Sequence, residues 1–245
     1  MIDIHCHILP EVDDGPKNWE TSQAMCRMAA ADGIEHTVVT PHANERYHYD
    51  REYLQSLVAH LRGLVGNSHK ITLGCDFHLS YDNLQDVLVH PDRYTIEGSH
   101  YLLVELSNYS VPQQINECFT QLGDKGITPI LTHPERNPIL QQTPQRVLQW
   151  AEQGCVVQMT ASALTGQWGE RVTRAAKWLM DRDAVHILAS DGHDTEHRKP
   201  ILSRARKAVT EQYGEDLAEA LVDANPRAVV EGKPLPYFPD PVMKS

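Results

Sequence analysis

Met1-Ile2-Asp3-Ile4-His5-Cys6-His7 combines a short apolar strand with two histidines placed where that strand ends. In an extended segment the side chains of residues i and i+2 point to the same side, so both imidazole rings are expected to face one way. Such a pair is only a weak indication of a metal site when it stands alone, because chance matches are common. It gains weight if later strands of the chain end in the same manner.

A short β-branched run, a polar loop and an amphipathic helix follow one another repeatedly along the chain. The pattern predicts seven strands, at residues 2–4, 36–40, 71–77, 101–105, 127–132, 155–160 and 184–189. Helices are predicted at residues 19–32, 50–64, 112–125, 167–182, 200–213 and 216–224, and after Thr143-Pro144. These units predict an α/β fold with a parallel, barrel-like sheet. A doubly wound open sheet is the alternative, although no glycine-rich phosphate loop follows the first strand.

The composition narrows the classes of protein to consider. The chain has 245 residues, 41% hydrophobic and 22% charged, and we expect one domain over residues 1–231 and an irregular proline-rich tail at 232–245. A net charge of −11 argues against a nucleic-acid partner. No apolar run approaches the roughly 20 residues that cross a bilayer, and no secretion signal is evident, so a cytoplasmic protein without membrane insertion is predicted. Five cysteines without a CxxC pair are expected to be reduced.

Histidine or carboxylate side chains stand at six of the seven predicted strand ends. In a parallel barrel these ends converge on one mouth, where barrel enzymes place their chemistry. Imidazole and carboxylate together suit Zn, Mn or Fe. The candidate metal ligands in this set are His5, His7, His42, Asp76, Glu105, His133, Asp191 and His193.

Each candidate also has an ordinary structural explanation. A single aspartate at a strand end, such as Asp191, is often a helix cap, and single histidines are often exposed. Glu105 is harder to explain in this way, because it follows an apolar run and its burial would be costly without a partner. The joint pattern therefore favours metal binding. We expect a structural or exposed position for seven other histidines: His36, His60, His69, His90, His100, His186 and His197.

Three further residues add to the predicted site. Asp13-Asp14-Gly15 indicates a turn, but its position after the first histidine pair would let Asp14 fold back over the mouth as a ligand. Arg136 and Arg198 each follow a candidate ligand by a few residues. Planar guanidinium groups near a metal cluster indicate recognition of an oxyanion, with phosphate the first choice.

Taken together, these motifs resemble the polymerase-and-histidinol-phosphatase (PHP) superfamily. More closely, they are similar to the bacterial manganese-dependent protein-tyrosine phosphatases encoded with capsule and exopolysaccharide genes. Asp13-Asp14-Gly15-Pro16-Lys17 and His133-Pro134-Glu135-Arg136 point to this subfamily. The other matching segments are residues 1–8, 40–42, 103–107, 126–129, 189–193 and 225–227.

The resemblance implies a distorted seven-stranded (β/α) barrel of the PHP type, with up to three divalent ions, Mn²⁺ first. The first ion would be held by His5, His7, Asp76 and Asp191, the second by Asp76, Glu105 and His133, and the third by Asp14, His42 and His193. Arg136 and Arg198 would bind the phosphoryl oxygens, with Asp14 also at the catalytic centre. The implied reaction is hydrolysis of a phosphotyrosine protein by a metal-activated hydroxide. The partner that the resemblance implies is a bacterial tyrosine kinase of polysaccharide export.

Asp76 departs from the resemblance, because the family usually has a glutamate there. The shorter side chain would place the carboxylate closer to the backbone, so the bridge would need a shifted strand or one metal site would be weak. The neighbouring His78 would be exposed or would partly compensate. Two other functions stay open: a small-molecule phosphatase of the same superfamily, such as a histidinol-phosphate type, and a non-catalytic metal-binding module. An amidohydrolase-type enzyme usually carries a bridging lysine at a strand end, and no lysine of this chain stands in such a position.

Overall fold

The computed structural model of the protein describes residues 1–66 and 69–242. Within this part of the chain there are nine parallel strands, of which two are continuations of the strand before them. They are β1 Ile2–Cys6, β2 His36–Val39, β3 His42–Ala43, β4 Lys70–Leu73, β5 Asp76–His78, β6 Tyr101–Glu105, β7 Thr128–Thr132, β8 Val156–Thr160 and β9 Ile187–Ala189.

The helices alternate with the strands. They are α1 Trp19–Ala31, α2 Arg51–Val65, α3 Tyr81–Val89, α4 Ile115–Asp124, α5 Gln145–Glu152, α6 Gly169–Met180, α7 Ser203–Tyr213, α8 Glu215–Glu219 and α9 Asn225–Val230. Short 3-10 turns occupy Pro91–Arg93 and Ala161–Ala163, and a π-helical turn at Ala220–Ala224 joins α8 to α9. No helix in the described residues is long and apolar enough to cross a membrane.

The strands form a distorted barrel with seven strand positions. One sheet has the order β1-β2-β4 and the other the order β3-β5-β6-β7-β8-β9. The barrel closes where the end of β1 meets the chain after β9: the His7 amide donates to the Gly192 carbonyl at 2.8 Å, and the Asp191 amide donates to the His5 carbonyl at 2.9 Å. The predicted parallel barrel of seven strand–helix units is therefore confirmed.

The third predicted strand, residues 71–77, is wrong as one continuous element, because the chain breaks between β4 and β5. A Cβ atom on Gly74 would lie 2.9 Å from the Val38 side chain, so only glycine fits this close approach to β2. The Tyr49 hydroxyl donates to the Gly74 carbonyl at 2.8 Å and holds the break in place. After it, Asp76 pairs in register with His42. The break thus places two candidate ligands side by side.

Other boundaries also differ from the prediction. Helix α4 begins at Ile115, not at Pro112, and α3 and α9 were not predicted. Helix α3 is capped by Ser80, whose hydroxyl accepts from the Asn83 amide at 3.2 Å. Because Ser80 lies close to the end of β5 at His78, the sequence contains too short a loop to indicate that a helix begins there.

Residues 232–242 of the proline-rich tail form no regular helix or strand, and residues 243–245 lie outside the described part of the chain. The tail is nevertheless attached to the barrel. The Tyr237 amide donates to Asn225 Oδ1 at 3.0 Å, and the Phe238 ring stacks on His186 with the ring centres 4.2 Å apart. The tail therefore covers the N-terminal end of β9, opposite the mouth.

Candidate metal centre

The side chains at the strand ends converge on the mouth of the barrel. In the described residues, three groups bring possible ligand atoms within 4.8 Å of one another. The groups are His7 with Asp14, His42 and His193; His5 with His7 and Asp76; and His42 with Asp76 and Glu105. His7, His42 and Asp76 each belong to two of these groups. The three groups therefore form one continuous cluster of metal-donor side chains.

Asp76 lies at the centre of this cluster. Its Oδ2 atom is 3.1 Å from His42 Nδ1 and 3.4 Å from His5 Nε2. The Nε2 atoms of His5 and His7 are 3.2 Å apart. Although aspartate is one methylene shorter than glutamate, Asp76 therefore reaches both His42 and His5 from its position after the break in the strand.

Several of these atoms are buried and have no hydrogen-bond partner among the described residues. They include both carboxylate oxygens of Asp76, Nδ1 of His42 and Nε2 of His193. An unpaired buried carboxylate is costly, and buried charges in proteins are usually paired or bound to metals. Imidazole nitrogens and carboxylate oxygens aimed at a shared space fit divalent ions such as Mn²⁺, Fe²⁺ or Zn²⁺.

Two outer residues fix the orientation of the first histidine pair. His7 Nδ1 lies 2.7 Å from Asp13 Oδ2, and His5 Nδ1 lies 2.9 Å from Gln158 Oε1. With Nδ1 donating to these oxygens, Nε2 of each ring is left facing the centre, which is how metal-binding histidines are commonly held. Asp13 and Gln158 were not predicted. The polar Gln158 inside a buried strand was the available signal, because strands of a parallel sheet are mostly apolar.

The carboxylates dominate the electrostatics of the mouth. Burial lowers the pKa of His5, but the charges of Asp76 and Asp191 outweigh this and raise that pKa to about 9. Burial also acts against protonation of His42, yet Asp14 and Asp76 raise its pKa to about 11. In contrast, burial and the neighbouring His193 lower the pKa of His7 to about 3. The mouth therefore attracts positive charge, as protons or as metal ions.

Two strand-end candidates hold backbone conformations that are uncommon for non-glycine residues. The φ angle is 35° at His133 and 51° at Asp191. Such conformations persist where the surrounding structure requires them and are concentrated at functional sites. His133 and Asp191 lie at the mouth but outside the three groups: His133 Nε2 is 3.9 Å from Glu105 Oε1, and Asp191 Oδ1 is 3.5 Å from His5 Nε2.

The second oxygen of Asp191 is shared by the two candidate arginines. Arg136 Nη1 donates to Asp191 Oδ2, and Arg198 Nη2 donates to the same atom at 2.6 Å. The guanidinium carbon of Arg136 lies 4.0 Å from the centre of the Trp168 ring, and that of Arg198 lies 5.6 Å from it. The structure thus brings both arginines together beside the cluster and adds Trp168, which the sequence did not single out.

Two neighbours of the cluster lie on the segments whose role the sequence left open. The Tyr47 ring stacks on His42 with the ring centres 5.9 Å apart, so the segment at residues 43–50 borders the mouth. His78 is partly buried, and its Nδ1 atom lies 3.7 Å from Glu105 Oε2. It is therefore close enough to influence Glu105 while standing outside the donor groups.

Comparison with known proteins gives a consistent result. A model of the family described as capsular polysaccharide synthesis, CpsB/CapC, matches residues 1–231. The tyrosine-protein phosphatase CpsB of Streptococcus pneumoniae is 29% identical over 239 residues, which cover 94% of this chain and 98% of that protein. The putative tyrosine-protein phosphatase CapC of Staphylococcus aureus is 30% identical over 210 residues, or 83% of this chain and 81% of that protein.

The fold has solved counterparts. A structure from work on YwqE of Bacillus subtilis and CpsB of Streptococcus pneumoniae, described as unique metal-dependent tyrosine phosphatases, superimposes with a TM-score of 0.91 at 26% identity and covers 100% of both chains. The lactonase Lmo2620 of Listeria monocytogenes has a TM-score of 0.62 at 14% identity over 95% of both chains. The second likeness concerns the barrel alone.

Proposed function

The chain belongs to the CpsB/CapC family of capsular polysaccharide synthesis, and from this premise we propose that it is a metal-dependent protein-tyrosine phosphatase. The observation that carries the proposal is a cluster of histidine and carboxylate side chains with the spacing of metal ligands, centred on Asp76, with two arginines beside it. Metal donors next to a pair of guanidinium groups suit hydrolysis of a phosphate monoester, in which negative charge on the phosphoryl oxygens must be stabilised.

Three ions are proposed, with Mn²⁺ as the metal. The ligand sets are His5, His7, Asp76 and Asp191; Asp76, Glu105 and His133; and Asp14, His42 and His193. Asp76 would belong to both of the first two sets, which its grouping with His5 and His7 on one side and with Glu105 on the other supports. When bound, the ions supply a hydroxide nucleophile near neutral pH and charge to balance the phosphate.

The protein's own residues orient the substrate. Arg136 and Arg198 each use one side of the guanidinium group on Asp191, which fixes their planes and leaves other N–H groups for phosphoryl oxygens. The charge of Asp191 raises the pKa of Arg136 despite its burial, so this side chain stays cationic. Asp14 stands at the rim, with Oδ1 3.2 Å from His193 Nε2, and half of its side chain is exposed to an arriving substrate.

A cysteine nucleophile is not part of the proposal. All five cysteines are free, and four of them are buried. Burial raises the pKa of Cys6 and of Cys75 well above the usual value, which disfavours the thiolate that such chemistry requires. Cys6 Sγ also faces the Gly192 carbonyl at 3.5 Å, away from the donor cluster.

The proposed cellular setting follows from the family and the thiols. Five unpaired cysteines suit a reducing compartment, so the cytoplasm is proposed. The proposed substrate is a phosphotyrosine protein, with a bacterial tyrosine kinase of polysaccharide export as the partner. Residues 1–231 are proposed to form one catalytic domain, and residues 232–245 are proposed to be an irregular tail attached to it.

The test is hydrolysis of a phosphotyrosine peptide by protein treated exhaustively with a chelator and then dialysed. Activity is expected to be lost on chelation and restored by Mn²⁺. Activity that survives complete removal of metal, verified by elemental analysis, would contradict the proposed mechanism.

A panel of phosphate esters separates the remaining alternatives. A strong preference for a small metabolite such as histidinol phosphate over phosphotyrosine would favour a small-molecule phosphatase. Tight metal binding without hydrolysis of any ester would favour a non-catalytic module. The arginine pair beside the cluster favours the enzyme, because a purely structural metal site has no need of oxyanion donors.

A further inference from the structure

A groove lies next to the paired arginines, between the loop that precedes α6 and the loop that precedes α7. Its volume is about 490 Å³, and its lining includes Trp168, Arg198, Lys199, Arg204 and Glu196. Trp168 and Arg198 also border the metal centre, since both contact the Arg136–Asp191 assembly. The groove and the proposed active site therefore share a wall.

The charge of this groove is opposite to that of the molecule. The chain carries a net charge of −11, yet three cations and a single carboxylate line the groove. The Arg198 side chain already forms an ion pair with Asp191. In the described residues, neither Lys199 nor Arg204 forms an ion pair, and both side chains are at least partly exposed. Two free cations beside a phosphate site suit a second anionic group on the same ligand.

The loop that carries these cations is held rigidly. Asp194 Oδ1 accepts from the amides of Glu196 at 2.6 Å and His197 at 2.5 Å. The Arg198 carbonyl accepts from the His193 amide at 2.7 Å, directly after the proposed ligand. Gln167 Nε2 donates to the His197 carbonyl and so connects the loop before α6 with the loop before α7. A groove already formed in this way would lose little conformational freedom when it binds.

We propose that this basic groove, defined by Trp168, Arg198, Lys199 and Arg204, binds an aspartate or glutamate carboxylate that lies close to the phosphotyrosine in the peptide substrate. Consecutive Cα atoms are about 3.8 Å apart, so a residue one or two positions away lies within roughly 7 Å of the phosphotyrosine backbone. The shared wall allows both anions of one peptide to bind together. The inference rests on the proposed phosphatase function and adds a sequence preference to it.

The two groove cations outside the proposed active site, Lys199 and Arg204, should act on peptide selection and leave the chemical step unchanged. Exposed ion pairs are individually weak and are screened by salt, so the effect is expected mainly in KM and at low ionic strength. A small ester such as phenyl phosphate carries no second anionic group for Lys199 and Arg204 to bind. Its rate of hydrolysis therefore reports on the metal centre alone.

The experiment compares phosphotyrosine peptides that carry glutamate, glutamine or lysine at two positions on each side of the phosphotyrosine. The metal-loaded wild-type protein is measured beside the double variant Lys199→Ala/Arg204→Ala. The matched control is Lys177→Ala/Lys207→Ala, which removes the same charge from exposed positions on α6 and α7 outside the groove. Phenyl phosphate is measured with all three proteins.

The wild type is expected to prefer the glutamate over the lysine peptide by about tenfold in kcat/KM at low salt. The groove variant should reduce this ratio to about twofold, while the control variant keeps it and all three proteins hydrolyse phenyl phosphate equally. An unchanged ratio in the groove variant, or an equal loss in the control, would overturn the inference. Hydrolysis of phenyl phosphate without hydrolysis of any peptide would contradict the phosphotyrosine function itself.

Discussion

At the mouth of the barrel, His5 and His42 lie within 3.4 Å of the Asp76 carboxylate. At the opposite end, His36, His69 and His186 are also buried but have different partners. His36 Nε2 and His69 Nε2 each lie 2.8 Å from a threonine hydroxyl, and His186 Nδ1 accepts from the Val157 amide at 3.0 Å.

The two ends differ in the charge placed around similar rings. Burial lowers the pKa of His186 to about 4, and burial together with the nearby Lys70 and His69 lowers that of His36 to about 4, although Glu35 acts in the opposite direction. At the mouth the carboxylates raise the pKa of His5 to about 9, although that ring is equally buried. Buried histidines are therefore structural by default, and it is the acidic partners that make a site for cations.

The largest effect is expected from Asp76→Asn, which keeps the side-chain shape and removes the charge at the centre of the cluster. Bound metal should fall by at least one ion per chain, and kcat/KM for a phosphotyrosine peptide should fall by more than about a thousandfold. Elemental analysis and steady-state kinetics check both values. The control is His186→Asn at the other end, which should keep metal and activity. Normal metal content in the Asp76 variant would contradict the conclusion that the carboxylates make the mouth a site for cations.

A smaller loss is expected from Arg136→Ala. Removal of one charged donor to the phosphoryl oxygens should lower kcat by about 100- to 1000-fold. The metal content should not change, because Arg198 still contacts Asp191 Oδ2 at 2.6 Å. Full activity would remove Arg136 from the proposed site, and loss of metal would show that its role is structural.

Trp168 should have a moderate influence through the arginines it contacts. Loss of the ring in Trp168→Ala should lower kcat/KM for phenyl phosphate by about tenfold, in line with a partly desolvated cation–π contact. Trp168→Phe keeps an aromatic face and should recover most of this loss, with metal content constant in both. Equal impairment in the two variants would argue against stacking on Arg136 as the cause.

The last prediction concerns stability, not activity, and belongs to the opposite end of the barrel. The folded pKa of His186, about 4, lies below the ordinary value of 6.5. The unfolded chain therefore takes up the proton first, and this contribution to stability is complete above about pH 6.5 and is lost as pH falls towards 4. His186→Asn can still accept from the Val157 amide but cannot be protonated.

Urea unfolding in the presence of chelator measures this difference at pH 7 and pH 4.5. Between these values the wild type should lose about 2 to 3 kcal/mol more of its free energy of unfolding than His186→Asn, at about 1.4 kcal/mol per pKa unit. Parallel pH profiles for the two proteins would show that His186 is not held neutral by burial.

The barrel and the position of the candidate ligands could be predicted because both follow local patterns in the sequence. Short β-branched runs end in histidine or carboxylate, and parallel strands bring those ends together. Contacts between distant residues could not be predicted in this way. His5 and Gln158 are 153 positions apart, and the pairing of Asp76 with His42 depends on the break at Gly74. Trp168 likewise lies far in sequence from Arg136, so only the fold shows the contact.

Anomalous X-ray diffraction from crystals of the Mn²⁺-loaded protein tests the central claim most directly, because it locates each ion without reference to activity. The account predicts three anomalous peaks at the mouth, with the Asp76 carboxylate in contact with at least one of them and no peak at His36, His69 or His186. A mouth without anomalous density under saturating Mn²⁺, or ions bound only at the opposite end, would contradict it.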